Sequence, residues 1–179
     1  MALTISLDDR VAVVTGASSG IGAQIARSMA AAGARVVLVG RDAERLEAVR
    51  EDVGRAGGEA HVVTADLERG EAPAEIVEAS LAAYGQLDCL VHCAGVFLVA
   101  PIDESLDLLD RQWLVNVRAP FRLTVTALPE LRRRKGAVIF LSSVAGRVGF
   151  PGAAAYCGTK GAIELLTRSL AVEEAPNGV

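Results

Sequence analysis

The sequence predicts an α/β fold: a doubly wound parallel sheet of five strands in a three-layer α/β/α arrangement. Three observations predict it. Short apolar runs alternate with longer helical stretches five times along the chain, the pattern of strands joined by crossover helices. Hydrophobic residues make up 51% of the chain but aromatics only 4%, so the core is built from Val, Leu, Ile and Ala, as where buried parallel strands lie under Ala-rich helices. The 179 residues suit one domain with a sizeable core, and no linker, low-complexity segment or short repeat divides them.

The elements follow in order. Val11–Thr15 is a compact apolar strand ending in a Gly-rich turn. A helix from about Ser19 to Ala32 comes next, stopped by Gly33. Arg35–Val39 is the second strand. Asp42 caps a charged helix through about Ala56, ended by Gly57-Gly58. His61–Ala65 reads as the third strand. Pro73 stands in the first turn of a helix that runs to about Tyr84, with Gly85 after it. Asp88–His92 is the fourth strand. Ser105 to Arg134 reads as one long helix that contains Pro120 and Pro129. Proline removes a helical hydrogen bond, so a kink is expected near Asn116–Pro120. Ala137–Leu141 is the fifth strand, followed by a Gly/Ser loop and a helix from about Ala153 to Glu174.

Charge and composition narrow the function classes. The net charge is −4, without the basic footprint that nucleic-acid binding needs. The one basic run, Arg132-Arg133-Arg134-Lys135, reads as the solvated last turn of a helix, where cations suit the dipole. Cys89, Cys93 and Cys157 fit no zinc spacing and read as buried free thiols, so no metal site is expected. Met1–Arg10 lacks a charged-then-apolar signal pattern, and no apolar run approaches membrane-spanning length. The expected location is the cytoplasm, with no membrane or nucleic-acid partner.

The chemistry-bearing segments fall at strand carboxyl ends, where open α/β sheets bind ligands. Thr15-Gly16-Ala17-Ser18-Ser19-Gly20-Ile21-Gly22 joins the first strand to the first helix. Its glycines allow a tight turn and close backbone approach to a pyrophosphate, and the helix start supplies free N–H groups. Gly16, Ser18, Ser19, Gly20, Ile21 and Gly22 are therefore candidate cofactor-binding residues, on what reads as a Rossmann-like dinucleotide-binding domain spanning 1–179. The second strand ends Val39-Gly40-Arg41. An acid at Gly40 would bind a ribose 2′-hydroxyl and favour NAD(H). Arg41 can instead pair with a 2′-phosphate in a forked geometry, which favours NADP(H).

Tyr156 and Lys160 are four apart at the start of the last helix, on one face. A tyrosine's ordinary pKa of about 10 makes it a poor base at neutral pH, and a nearby ammonium stabilises its phenolate. Ser143 follows the fifth strand, so its hydroxyl can face the same cleft. Together these motifs resemble the short-chain dehydrogenase/reductase family. Thr15–Gly22 resembles its cofactor loop, Asp66-Leu67 its adenine contact, and Asn116-Val117 its mid-helix asparagine. Ser143, Tyr156 and Lys160 resemble its catalytic set. The similarity runs from about Asp8 to the end of the chain.

The resemblance implies hydride transfer between NADP(H) and a small-molecule carbonyl or alcohol. Tyr156 would act as the general acid/base and Ser143 would hold the reacting oxygen. Lys160 would support Tyr156 and contact the nicotinamide ribose. Asn116 would hold a water linking Lys160 to solvent. The family's Asn-Asn-Ala-Gly is His92-Cys93-Ala94-Gly95 here. Ala94 and Gly95 still allow close approach to the cofactor, and His92 reads as a strand-end residue. The resembled family continues past the turn at Ala175–Val179 into a sixth strand, a nicotinamide loop, a substrate lid and a seventh strand. Without them the fifth strand would have a bare edge, and a second reading arises: a nucleotide-binding or interaction module that does not turn over. Phe97, Leu98, Val99, Val148 and Phe150 would give the cleft apolar walls suited to apolar or ring-bearing substrates. Family members pair through the Asn116 helix and the Tyr156 helix. With an apolar series at Ile163, Leu166 and Leu170, this implies a homo-oligomer, a dimer or tetramer.

Overall fold

The computed structural model describes residues 6–179. The N-terminal reading over Met1–Ile5 lies outside the described residues. Five parallel strands form one sheet in the order β3-β2-β1-β4-β5: β1 Val11–Thr15, β2 Arg35–Gly40, β3 Glu59–Thr64, β4 Cys89–His92 and β5 Ala137–Phe140. The order reverses between β1 and β4, which opens a cleft at the carboxyl ends of those two strands.

Both faces of the central strands are apolar because both are covered. Val11 and Val13 of β1, Val37 and Val39 of β2 and Leu90 of β4 face one way. They pack on helix α3 (Ala72–Tyr84) through Ile76 and on α5 (Ala119–Arg134) through Leu123 and Leu131. Val14, Val36, Leu38 and Val91 face the other way. They meet α1 (Gly20–Ala31) through Ala23, Ala26 and Ala30, and α2 (Ala43–Arg55) through Leu46, Val49 and Val53. The small alanine face of α1 lets that helix lie close to the strands. Asp42 caps α2 as expected, its side chain accepting from Arg45 N–H at 3.0 Å.

Some boundaries differ from the sequence reading. β3 starts at Glu59 rather than His61 and ends before Ala65, whose N–H continues to Gly40 O at 2.8 Å. As an edge strand with exposed positions, β3 mixes polar and apolar residues, which blurs its ends. The long helix is continuous from Leu106 to Arg134, with a π turn near the place of the expected kink. α4 (Leu106–Trp113) passes through a widened π turn, Leu114–Arg118, into α5. Pro120 has no N–H to give the preceding turn, and the wider turn just before it absorbs that loss. α6 (Ala154–Glu174) packs against α4 and the π turn. Among the described residues β5 pairs with β4 alone.

Two readings need correction. The three cysteines are free, but each is half-buried rather than buried. The basic run closes α5 but is not simply solvated. Arg132 pairs with the buried Glu174 at 2.5 Å, Arg133 with Glu130, and Arg134 with the buried Asp88 at 2.9 Å. The Arg132 guanidinium holds the Glu174 carboxyl down to about 2. Local sequence cannot show the Arg132 and Arg134 pairs, because their partners lie far along the chain; Arg133 and Glu130 are only three residues apart on one helix.

Asp88 joins the amino-terminal ends of three strands. Its carboxylate accepts from Val11 N–H (2.9 Å), Arg10 (3.0 Å), Arg134 (2.9 Å) and Gln86 (2.9 Å), while its backbone bonds to both β1 and β5. Burial alone would raise its pKa. The donors from Val11, Arg134 and Arg10 outweigh burial and hold the carboxyl below its ordinary range. A depressed carboxylate stabilises the fold above its unfolded pKa and loses that effect as pH falls through the folded one. Asp88→Asn should cost about 2 kcal/mol at pH 7, the loss of charge-assisted hydrogen bonds. In thermal denaturation this should lower Tm by about 5 °C, a gap that narrows in strong acid. An equal gap at pH 7 and pH 2.5 would show that the charge is not responsible.

Candidate active site

The site is built from the loops that leave β1, β2, β3 and β4. Thr15 ends β1 with its side chain buried. Its hydroxyl donates to Val91 O at 3.4 Å and accepts the N–H groups of Cys93 and Ala94, both at 3.2 Å. This ties the loop after β4 onto the loop after β1. Gly16 then turns with φ +68°, and a Cβ there would stand 2.8 Å from Ala94 N. A Cβ on Gly22 would run into the Gly16 carbonyl oxygen, so α1 begins in contact with the turn it leaves. Ser19 precedes α1 in extended conformation and its side chain makes no capping hydrogen bond. The first N–H groups of α1 therefore face the cleft without a side-chain acceptor from Ser19.

The cleft has a volume of about 400 Å³. From the loop after β1 it takes Gly16, Ser18, Ser19, Gly20, Ile21 and Gly22. Arg41 comes from the end of β2, Asp66 and Leu67 from the end of β3, and Ala94 and Gly95 from the end of β4. The cofactor-binding candidates of the sequence thus meet, apart from Tyr156 and Lys160, which lie beyond the lining; Asn116, Ser143, Phe97, Leu98, Val99, Val148 and Phe150 do not line the cleft either. The cleft also takes Glu68, Cys93, Val96, Val115 and Leu141, which the sequence reading missed. Glu68 directly follows Asp66-Leu67, and Leu141 is the last residue of the fifth strand in the sequence reading, whereas β5 ends at Phe140; proximity to those strand ends is the available signal.

Lys160 is 8% exposed, and its Nζ donates to Leu141 O at 2.7 Å. Burial pushes its pKa down from the ordinary lysine value, and the neighbouring Cys93 thiol acts weakly in the other direction. Its Nζ lies 5.6 Å from the centre of the Tyr156 ring. Tyr156 also meets Phe97 edge-on, with ring centres 4.7 Å apart.

Asn116 stands in the π turn and engages both ends of its amide. Its Oδ1 accepts from Val96 N–H at 2.8 Å, and its Nδ2 donates to Val96 O at 2.9 Å and to Thr159 Oγ1 at 3.2 Å. One turn earlier, Gln112 accepts from Leu98 N–H at 3.0 Å. Two carboxamides on α4 and its π turn therefore fix the loop that carries Phe97. A Cβ on Gly95 would lie 3.2 Å from Asn116 Oδ1 and 4.0 Å from Lys160 Nζ, so Gly95 keeps those groups close.

Ser143 caps the 3₁₀ turn Val144–Gly146 by accepting from Ala145 N–H at 3.2 Å; it makes no hydrogen bond to Tyr156. Its neighbour Ser142 braces this loop on α6, donating to Lys160 O (3.3 Å) and Glu164 (3.2 Å). His92 is buried, with Nε2 2.9 Å from Thr124 Oγ1 and its ring stacked on Phe140. Burial pushes its pKa to about 3, so the ring is neutral at physiological pH. Among the described residues no group of three or more His, Cys, Asp or Glu could hold a metal ion, and no helix is long and apolar enough to cross a membrane.

Comparison with known proteins agrees with this geometry. The family described as short chain dehydrogenase matches residues 10–179. A short chain dehydrogenase of Pseudocercospora fijiensis is 38% identical over 177 residues, covering 97% of this chain and 57% of the relative. A cyclopentanol dehydrogenase of Comamonas sp. is 36% identical over 172 residues, covering 95% of this chain and 69% of the relative. The chain thus spans between 57% and 69% of the length of these two relatives. A crystal structure of a dehydrogenase/reductase from Sinorhizobium meliloti superposes with a TM-score of 0.94 at 37% identity, covering 98% of this chain and 70% of that one. On the matched segment, the sheet order and the similarity to these proteins, the chain belongs to the short chain dehydrogenase family.

Proposed function

We propose that this chain carries the nucleotide-binding and acid/base parts of an oxidoreductase that uses NADP(H) in preference to NAD(H) and interconverts a carbonyl and an alcohol. The observation that carries this reading is the pair Tyr156–Lys160, with the lysine buried on Leu141 O beside a cleft floored by glycine backbone. The cleft fits a dinucleotide. Glycines 16 and 22 leave room that a Cβ would fill, and the start of α1 offers N–H groups to a pyrophosphate. Gly20, Ile21, Ser18 and Ser19 form the rest of that cradle. Asp66 and Leu67 flank the adenine end, Ala94 and Gly95 the middle. Bound there, the nicotinamide would supply or accept the hydride.

The protein's own residues handle the proton. Tyr156 gives a proton from its phenol oxygen to the substrate oxygen in reduction and takes one back in oxidation. Lys160 places its ammonium 5.6 Å from the centre of the Tyr156 ring, held there by Leu141 O. Ser143 holds the substrate oxygen once its hydroxyl leaves the local turn. Asn116, its amide nitrogen already engaged, keeps one Oδ1 lone pair for a water that relays protons to Lys160. Phe97, Val99, Val148 and Phe150 are exposed and, with Leu98, form an apolar rim, which suits ring-bearing or apolar carbonyl compounds. The named substrate of the Comamonas relative is itself a ring alcohol.

Arg41→Ala should weaken NADPH binding by about 1–3 kcal/mol and leave NADH binding unchanged, as calorimetric titration would read. Equal affinity for the two cofactors in the unmodified protein would overturn the preference. Tyr156→Phe should remove turnover of cyclic ketones while NADPH binding persists. Retained turnover would move the proton donor elsewhere, and activity confined to short polar sugars would refute the apolar rim. We also propose self-association through the outer faces of α5 and α6, where Phe121, Val125, Leu165 and Val172 are exposed, the last to 80%. Sedimentation at micromolar concentration should show a dimer or larger species; a stable monomer would refute it.

A further inference from the structure

We propose that Glu68, shared between Arg41 and Arg111, sets how strongly the cleft discriminates for a 2′-phosphate; the proposal rests on the NADP(H) reading above. Glu68 lines the cleft on the loop after β3. Its Oε1 stands 3.9 Å from Arg41 Nη1 and 3.6 Å from Arg111 Nε. The three side chains come from separate elements: the end of β2, the loop after β3, and α4. The guanidiniums are 61% and 51% exposed and the carboxylate 31%, so all three can shift when a charged ligand arrives. Arg45, the next cation along, is engaged by Asp42 at 3.2 Å.

A 2′-phosphate carried to Arg41 arrives beside the Glu68 carboxylate. The two anions compete for one guanidinium and repel each other, so Glu68 opposes the phosphorylated nucleotide. A nucleotide with a free 2′-hydroxyl meets no such repulsion. Arg111 is the nearer of the two cations to Glu68. It offers the carboxylate a second partner and so draws it off Arg41. In this arrangement Arg111 favours the 2′-phosphate without touching it. The discrimination comes from three charges, not from Arg41 alone.

Exposed ion pairs are weak, so the expected effects are about two- to fivefold in affinity. NADP⁺ and NAD⁺ binding would be measured by calorimetry at low ionic strength, independent of turnover. The proteins compared would be the parent, Glu68→Gln, Arg111→Ala, the double variant and Arg41→Ala. Glu68→Gln should tighten NADP⁺ about two- to fivefold and leave NAD⁺ unchanged. Arg111→Ala should weaken NADP⁺ to a similar extent. In the Glu68→Gln background, Arg111→Ala should have no further effect, because the carboxylate it restrains is gone. Equal weakening by Arg111→Ala in both backgrounds would overturn the proposal, since Arg111 would then act on the phosphate itself. So would an unchanged NADP⁺ affinity in Glu68→Gln while Arg41→Ala abolishes discrimination, a result that leaves the NADP(H) reading standing. If Arg41→Ala leaves the NADP⁺ to NAD⁺ ratio unchanged, both the reading and the proposal fall.

Discussion

The Thr15 hydroxyl holds the two halves of the sheet's carboxyl edge in register. It is buried at the last position of β1, gives its proton to β4 and takes two N–H groups from the loop that follows. A parallel sheet that reverses its strand order leaves backbone groups unpaired where neighbouring chains diverge, and buried backbone groups need partners. Thr15 supplies them. With the loops pinned this closely, no side chain fits at Gly16, and Gly22 must meet the turn with bare backbone. The cleft exists because these backbones are held at contact distance on one side and diverge on the other.

Asp88 does the corresponding work at the opposite end of the same strands, with charge instead of a hydroxyl. Its four side-chain hydrogen bonds gather β1, the segment leading into β4 and the end of α5. The central strands are therefore tied at both ends, a neutral group beside the cleft and an ionised one away from it. Lys160, beyond the cleft lining, is fixed by a backbone carbonyl and not by a carboxylate, and its Nζ stands 5.6 Å from the centre of the Tyr156 ring.

The sequence made the centre of the fold legible and its periphery less so. Strands β1 and β2 are covered on both faces, so nearly every position is apolar and the runs stand out. β3 lies at an edge, and its exposed positions hid two residues of pairing. The glycine loop and the spacing of Tyr156 and Lys160 could be read because local backbone geometry dictates them. Arg132, Arg134 and Glu68 could not be read this way. Their partners are 42, 46 and 43 residues distant (174 − 132, 134 − 88 and 111 − 68), and only the folded chain brings them together. Asn116 was read for its chemistry, and its amide also performs a clamp on Val96 that no local pattern encodes.

The π turn at Leu114–Arg118 acts as a phase slip in an otherwise continuous helical rod. One additional residue in a turn rotates everything before it by about 100° relative to everything after it. The two ends of the rod can therefore answer to different neighbours: Gln112 and Asn116 to the loop after β4, Leu123 and Leu131 to the sheet. A single helical wheel drawn from Ser105 to Arg134 cannot satisfy both. The turn is thus a point where the chain's length, more than its chemistry, is under constraint. Deleting one residue there would keep every side chain's identity, yet it would swing both carboxamides off the loop that carries Phe97.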